Sequence, residues 1–440
     1  MTPEADTLDE IGTATLEVVD EVHSSDPTLP QDRSDAIPTN VLLYPRRPQV
    51  LVTLEDSAPR TFKGARKSPE KELWVKAIKR ELSSMAMLEV WDVVELDPGF
   101  KLVGTTWVCK VKKDHLGKII EHKSQLCAQG FTQPAGVEFG QTYSPTGRLL
   151  RSMIAFALAM NLEFHQIDIK SAFLNAPLSE TVYLGIPQAL ELDIRLYFLK
   201  LKKAIYGLKQ ASLAWYNPLK KWLVTVCFVS CILDPCVFYQ RREDPIWLYV
   251  HVDDIAIFGS NLRKFKNKVS KEFDIKDVGP ANLMLSIKVS HSPKYVLLYQ
   301  QHFTESLLDL YGMLDCNTVL TPLVPNKHVC PASEEEAALF KKLNVNYRSA
   351  IGSIKYLSTA TRPDLSFAVS APSQYPENPE ILHWKVFLNV MKYLKGTQSL
   401  GLTYPRGINI GISAYSDADW GNFWVSQRSV TGFLASSEVV

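Results

Sequence analysis

The 440-residue sequence has almost no net charge, +1 from 48 basic and 47 acidic side chains, so bulk electrostatics assign it no partner class. Its seven cysteines are odd in number and include no CxxC pair, which argues against a disulfide framework or a zinc ribbon and predicts free thiols in a reducing compartment. Cys227, Cys231 and Cys236 lie close together without a partner motif and read as core packing. No apolar run approaches the ~20 residues of a membrane span. The start, MTPEADTLDEIG, is acidic where a secretory signal is basic and then apolar. There is no internal repeat and no coiled-coil heptad. These absences predict an intracellular, non-membrane globular protein, long enough for two or three lobes.

Residues 1–58 are rich in Asp, Glu, Ser, Thr and Pro with little periodicity and read as a disordered leader. Order is expected from Ser68, with Pro69 in a first turn and Trp74, Ala77, Ile78, Leu82 and Met85 at helical spacing. VWDVVEL and the stretch from Gly104 to Phe131 read as strands, with HLGK at His115 to Lys118 as a basic hairpin turn. Arg148 to Met160 carries a helical apolar stripe and leads into the strand LEFHQIDI. KLKKAIYGLKQASLAWYNPLKKWL reads as a helix-like segment interrupted by Gly207, a residue that invites close backbone approach. Helices follow at Leu262 to Phe273, Ser349 to Thr361 and Glu380 to Leu394, and strands at DVGPANLMLSIKVS, KYVLLYQQ, Gly401 and Gly411. The order is α+β.

The chemistry concentrates in WLYVHVDDIAIFG, Trp247 to Gly259, two strands of period two that meet at Asp253 and Asp254. Adjacent carboxylates at a hairpin tip raise one another's pKa unless a cation compensates them. In LEFHQIDI, Ile167 and Ile169 face a core, which puts Phe164, Gln166 and Asp168 on the other face and a third acid at the end of a buried strand. Three such acids are the minimum set for two-metal phosphoryl transfer, and oxygen ligands shared with substrate phosphates suit Mg2+, with Mn2+ as the alternative. Read as isolated features, Asp-Asp is also ordinary turn chemistry, and Asp168 an ordinary strand-end ion pair. Basic runs at Lys110 to Lys123, LKLKK and RKFKNK become a phosphate track only beside a catalytic cleft.

QIDIKSAFLNAPLSETVYLGIPQ, LKKAIYGLKQASLAWY, VHVDDIAIFG, YRSAIGSIKYLSTATRPDLSFAV, VMKYLKGT and YSDADW occur in that order. From about Arg60 onward they resemble the reverse transcriptase region of copia-type LTR retrotransposon polyproteins. The resemblance implies a right-hand polymerase with fingers and palm over 59–287 and a thumb and connection over 288–404. An incomplete ribonuclease H-like β start over 405–440 completes it. It implies an RNA-directed DNA polymerase that adds dNTPs to a primer 3′-hydroxyl on an RNA template, with Asp168, Asp253 and Asp254 as metal ligands. It further implies that Phe173 lies under the sugar and excludes a 2′-hydroxyl, that Gln210 contacts the incoming nucleotide, and that Lys123 reaches its triphosphate. Trp107, Trp215 and Tyr216 read as packing aromatics. YSDADW resembles the first strand of a ribonuclease H domain, with Asp417 as leading ligand and Asp419 as alternative; the chain stops before the further acids such a domain needs, so that activity is not expected.

Three positions depart from the pattern. Gln125 of KSQLCA stands where relatives usually have the arginine of KARLVA, Leu213 where a basic residue is frequent, and Ser286 where glycine is common. Gln125, the early end of the ribonuclease H-like segment and the absence of protease and integrase signatures motivate a second reading, a catalytically silent remnant that keeps the fold and binds nucleic acid.

Overall fold

The computed structural model describes residues 58–59, 61–95, 99–113, 119–133, 149–190, 192–240, 244–323, 329–406, 410–418, 429 and 431–439. The leader (to residue 57), the HLGK turn and Asp419 lie outside these residues. The chain forms two compact units: the larger spans Glu55–Phe303, Leu357–Asp364 and Thr397–Val440, the smaller includes Thr304–Tyr356 and Leu365–Gly396.

The larger unit begins with helices α1 (Phe62–Lys67) and α2 (Lys71–Met87), the latter burying Trp74, Ala77, Ile78 and Met85, the stripe its spacing predicts. Strands β1 (Trp91–Glu95), β2 (Thr105–Lys113) and β3 (Ile119–Ala128) follow, with β2 and β3 paired antiparallel. After α3 (Leu150–Ala159) come β4 (Glu163–Ile169), β5 (Tyr183–Leu184) and β6 (Tyr197–Leu201). Here the helix-like reading of KLKKAIYG fails. Phe198, Leu199 and Leu201 are buried while Lys200 is exposed, and β6 fills the middle of a sheet between β1 and β5. The helix α4 (Ala211–Thr225) starts only after Gly207, with Trp215, Tyr216, Leu219 and Leu223 buried.

Then come β7 (Val229–Ser230), β8 (Val237–Gln240), β9 (Ile246–His251), β10 (Asp254–Gly259), α5 (Leu262–Glu272) and β11 (Ile275–Pro280). A six-stranded sheet in the order β11-β4-β10-β9-β8-β7 is the frame of this unit. Both of its faces are covered. Ile167, Ile169, Ile255, Ile257, Leu248 and Val250 pack under α4 and α5. Phe164, Tyr249, Ala256 and Phe258 pack on the other side with α3 and a second sheet, the Phe164 and Phe258 rings stacked at 4.7 Å. The face that carries Phe164 and Gln166 is therefore core as well, and only its Asp168 end stays half-exposed.

The second sheet comprises β12 (Leu283–Met284), β13 (Ile287–His291), β14 (Tyr295–Tyr299) and, much later, β15 (Gly401–Pro405). Ser286 lies between strands, not within one. Met284 pairs with Ile287, so Leu285 and Ser286 form a two-residue turn, and both have positive φ, 51° and 58°. A turn of that kind prefers Asn-Gly, and an L side chain in the left-handed region costs about 1 kcal/mol. Ser286→Gly is expected to stabilise the chain by roughly 1 kcal/mol, read as a higher urea midpoint at unchanged m-value.

Helices α6 (Gln301–Leu310), α7 (Glu334–Lys341), α8 (Tyr347–Ala360), α9 (Ser366–Ser370) and α10 (Ile381–Gly396) complete the helical complement. The smaller unit is organised around Trp384 and Phe387 of α10, stacked at 4.6 Å, with Tyr311 edge-on to Phe387 at 4.8 Å. Ser333 caps α7 in a reciprocal box with Glu336. In the larger unit β16 (Ile410–Ala418) and β17 (Thr431–Val439) form a separate antiparallel pair, and Asp417 is exposed on it.

All seven cysteines are free; Cys236 is buried as expected, whereas Cys227 is exposed in a left-handed turn after α4. Among the described residues no helix is long and apolar enough to cross a membrane.

Candidate active site

The β9–β10 hairpin closes tightly. His251 pairs with Asp254, which leaves Val252 and Asp253 as a two-residue turn. Val252 has φ 56°, unusual for a β-branched residue, and two bonds hold the tip against that strain. Trp215 Nε1 donates to the Val252 carbonyl at 2.7 Å, and the Ile169 N–H donates to the Asp253 carbonyl at 2.9 Å. The turn is thus tied to α4 on one side and to β4 on the other. Trp215 packs, as its sequence context suggested, but what it packs is the catalytic candidate itself.

Register does the rest. Asp168 of β4 lies opposite Asp254 of β10, Asp254 opposite His251 of β9, and Lys276 of β11 opposite Asp168 on its other flank. Directly paired residues project from the same face, about 5 Å apart. Four strands therefore present the row His251, Asp254, Asp168, Lys276. Burial lowers the pKa of His251, which favours its neutral form. Buried Gln166 donates from Nε2 to Asp254 Oδ1 at 2.9 Å, and its own Oε1 has no partner. Asp253 has a raised pKa through burial and the neighbouring Asp168, opposed by a backbone hydrogen bond and by Lys123. Asp254 is pushed up to about 6 by burial, with Asp253 and Asp168 adding to the rise and the Gln166 bond opposing it.

This is a set of hard oxygen donors under mutual repulsion, which a divalent cation would relieve. As the side chains stand, no group of three or more His, Cys, Asp or Glu among the described residues is gathered closely enough to hold a metal. The three acids share one end of the sheet, but Asp254 is engaged by Gln166, while Asp168 and Asp253 both act on the Tyr206 hydroxyl. Asp168, Asp253 and Asp254 are the oxygen donors a cation there would take, and one Asp254 oxygen is already engaged by Gln166.

Lys123, on β3, is near enough to Asp253 to favour its charged form. Half-buried Tyr206 has a raised pKa, from desolvation first and then from Asp253, and it accepts or donates a hydrogen bond with Gln125. Phe173 meets Tyr206 edge-on at 4.8 Å and is itself buried. Gln210 is not a surface group: it is 2% exposed at the start of α4, and its Oε1 accepts from Gln133 Nε2 at 3.3 Å. Gly207 meets the end of β3. At φ 88° a Cβ there would lie 2.1 Å from the Ala128 carbonyl oxygen, and a Cβ on Gly130 would lie 2.0 Å from the Gly207 oxygen. The Ala128 N–H donates to the Tyr206 carbonyl at 2.7 Å, so Lys123 and Gln125 are carried to the carboxylates by a backbone contact.

Residues 88–325 match the family model described as reverse transcriptase (RNA-dependent DNA polymerase). The chain belongs to the reverse transcriptase family. It is 33% identical over 405 residues to a retrovirus-related Pol polyprotein from transposon TNT 1-94 of Nicotiana tabacum, covering 89% of this chain and 30% of that protein. It is also 33% identical over 387 residues to the Pol polyprotein from transposon RE2 of Arabidopsis thaliana, covering 86% and 26%. These are copia-type relatives, as the ordered motifs implied, and this reverse transcriptase chain spans about a third or less of their length. The solved foamy viral protease-reverse transcriptase complex with double-stranded DNA aligns over 78% of this chain and 51% of its own at 8% identity and a TM-score of 0.36, too distant to bear on the site.

The sequence-predicted Asp168, Asp253 and Asp254 share one end of the sheet with Lys123 close to Asp253, and Phe173 joins them through Tyr206. Gln166, Tyr206, His251 and Lys276 went unassigned in the sequence. Tyr206 carried a signal, an aromatic preceding the glycine of AIYGLKQ; the others depend on register. The carboxylate crowding has a measurable cost. Because the folded-state pKa of Asp254 lies above the ordinary value of about 3.9, the metal-free fold loses stability as pH rises through that window and bears the full cost above about 6. Asp254→Asn keeps an acceptor for Gln166 and removes the charge. It is expected to stabilise the metal-free protein by roughly 1–3 kcal/mol well above that window and not at all below it, read from urea unfolding at both pH values.

Proposed function

We propose that the chain is an RNA-directed DNA polymerase module that joins dNTPs to a primer 3′-hydroxyl. The observation that carries this reading is the meeting of Asp168 with the Asp253–Asp254 turn, in a chain of the reverse transcriptase family. In this reading the six-stranded sheet is the palm and the β2–β3 ribbon belongs to the fingers, within 59–287. Residues 288–404 supply thumb and connection. Asp168 and Asp253, with Asp254, would hold Mg2+ or Mn2+. When bound, the ion activates the attacking hydroxyl and neutralises charge on the transferred phosphoryl group.

The chain's own residues do the positioning. Trp215 and Ile169 fix the turn; Gln166 aims Asp254; Lys123 offsets the triphosphate charge. Phe173, braced by Tyr206, forms the floor on which the nucleotide sugar rests, where a 2′-hydroxyl has no room. Gln210, held by Gln133, reaches the nucleotide after a change of partner. The test is incorporation of dTMP on an oligo(dT)-primed poly(rA) template with Mg2+ or Mn2+. Template-dependent incorporation is expected, and none with soluble, folded protein in either metal would sink the reading.

The ungathered carboxylates and the Gln210–Gln133 pair favour one second reading, a silent relative that binds nucleic acid without extending it. Salt-sensitive binding of an RNA–DNA hybrid with no incorporation would select it.

A further inference from the structure

Tyr206 is held at three points. Its carbonyl accepts from the Ala128 N–H at 2.7 Å, in a parallel bridge with Cys127 that joins it to the end of β3. Its ring meets Phe173 edge-on, with centroids 4.8 Å apart. Its hydroxyl shares a hydrogen bond with Gln125 and lies close enough to Asp253 and Asp168 to feel both charges.

The pleat of β3 explains the bond to Gln125. Ser124 and Leu126 are buried, Ser124 against Cys109, so Lys123, Gln125 and Cys127 share the opposite face. Gln125 stands two residues before Cys127, about 7 Å along that face, a span that a tyrosine side chain laid back from the bridge can cover. Lys123 and Gln125 are thus successive residues on one face with different neighbours. Lys123 acts on Asp253, and Gln125 on Tyr206.

The residue type at 125 decides what that bond is for. An arginine would be a permanent cation beside Asp253, Asp168 and Glu81, the acids around the Tyr206 hydroxyl, and its planar fork would suit a phosphate. A neutral amide has a much weaker claim on either. It suits a hydroxyl that burial and those acids keep protonated. With its backbone on β3, its hydroxyl on Gln125 and its ring edge on Phe173, Tyr206 is a strut between the ribbon and that buried ring.

We propose that Gln125 governs sugar selectivity and not triphosphate binding: by holding the Tyr206 hydroxyl it keeps Phe173 in place under the nucleotide sugar, where a 2′-hydroxyl would have to fit. This rests on the polymerase reading and on Phe173 as its floor. Gln125 then has a task of its own, distinct from the one an arginine would serve.

The test is single-nucleotide addition by the full chain opposite U of an RNA template, with dATP and ATP compared by kcat/KM. Gln125→Leu is expected to lower the dATP-over-ATP ratio about 3- to 10-fold, by admitting ATP, without raising KM for dATP. Tyr206→Phe, which removes only the hydroxyl, should do the same, and the double variant should lose no more than either alone. Phe173→Val should lower the ratio further, and Gln125→Leu should add nothing in that background. Tyr206→Phe alone decides the matter where Gln125→Leu does not fold, as read by urea unfolding. KM values for dATP and ATP that rise together in Gln125→Leu at an unchanged ratio would place the amide on the triphosphate and overturn this inference alone. Additive losses in the double variant, or a Tyr206→Phe ratio equal to that of the wild type, overturn it as well. A Phe173→Val variant that discriminates like the wild type removes the floor and this inference with it. A wild type that adds neither nucleotide overturns the polymerase reading too.

Discussion

Asp253→Asn is expected to lower template-dependent incorporation by about 10³-fold or more while leaving the chain folded. A bound metal contributes several kcal/mol of charge stabilisation in the transition state, and each 1.36 kcal/mol is a factor of about ten. Asp253 lies at the turn and acts with Asp168 on the same neighbourhood, so in the proposed site loss of either charge removes a metal ligand. The substitution is isosteric, and the bonds that hold the turn use backbone carbonyls, which asparagine retains. Asp168→Asn should behave alike. Asp254→Asn should cost less, roughly 10- to 100-fold, because that carboxylate is drawn toward Gln166 and acts one step removed. Single-nucleotide incorporation under enzyme excess, with urea unfolding of each variant alongside, separates chemistry from folding. Equal losses at Asp253 and Asp254 would contradict the division of roles, and a destabilised Asp253→Asn would contradict the claim that its charge is an expense to the metal-free fold.

Gly207→Ala is expected to cost roughly 3–5 kcal/mol, the sum of left-handed backbone strain and a steric clash, each about 1–3 kcal/mol. The clash is with the Ala128 carbonyl, 2.1 Å from the new Cβ, and a backbone oxygen at the end of β3 cannot swing aside as a side chain would. What yields is the junction that brings Lys123 and Gln125 to the carboxylates. Loss of activity should therefore accompany loss of stability. Gly279→Ala separates the two contributions: its φ is 77°, yet nothing lies within 4 Å of the new Cβ, so only about 1 kcal/mol of strain is expected. Similar urea midpoints for the two variants would show that the close approach at Gly207 is not what holds the β3 junction.

Much of this site was legible in the sequence, for identifiable reasons. The period-two pattern around VHVDD fixed a hairpin, and Ile167 with Ile169 fixed the strand that carries Asp168. The ordered motifs joined the two. Other features were hidden because they arise from register between strands far apart in the chain. That Lys276 lies beside Asp168, and that Gln166 reaches Asp254, follows from β4 pairing with both β10 and β11, about a hundred residues later. Periodicity also misled where a lysine-rich strand resembled a helix: Lys200 is the outward residue of β6, and only pairing with β1 and β5 distinguishes it from a helical surface position. Gly207 was recognised as a point of close approach, but its partner, the end of β3, was not deducible from spacing. Ser286 stood out as a departure, and the structure gives it a physical cost, a left-handed turn without the glycine that would relax it.

The central claim is that the Asp168 and Asp253–Asp254 carboxylates form a divalent-cation site that serves RNA-templated DNA synthesis. Its most direct test is single-nucleotide addition to a DNA primer on an RNA template as Mg2+ or Mn2+ is titrated. The predicted result is saturable, metal-dependent addition of the complementary nucleotide, abolished by chelation and by Asp253→Asn. Addition that survives chelation, or that Asp253→Asn supports at the wild-type rate, would contradict it.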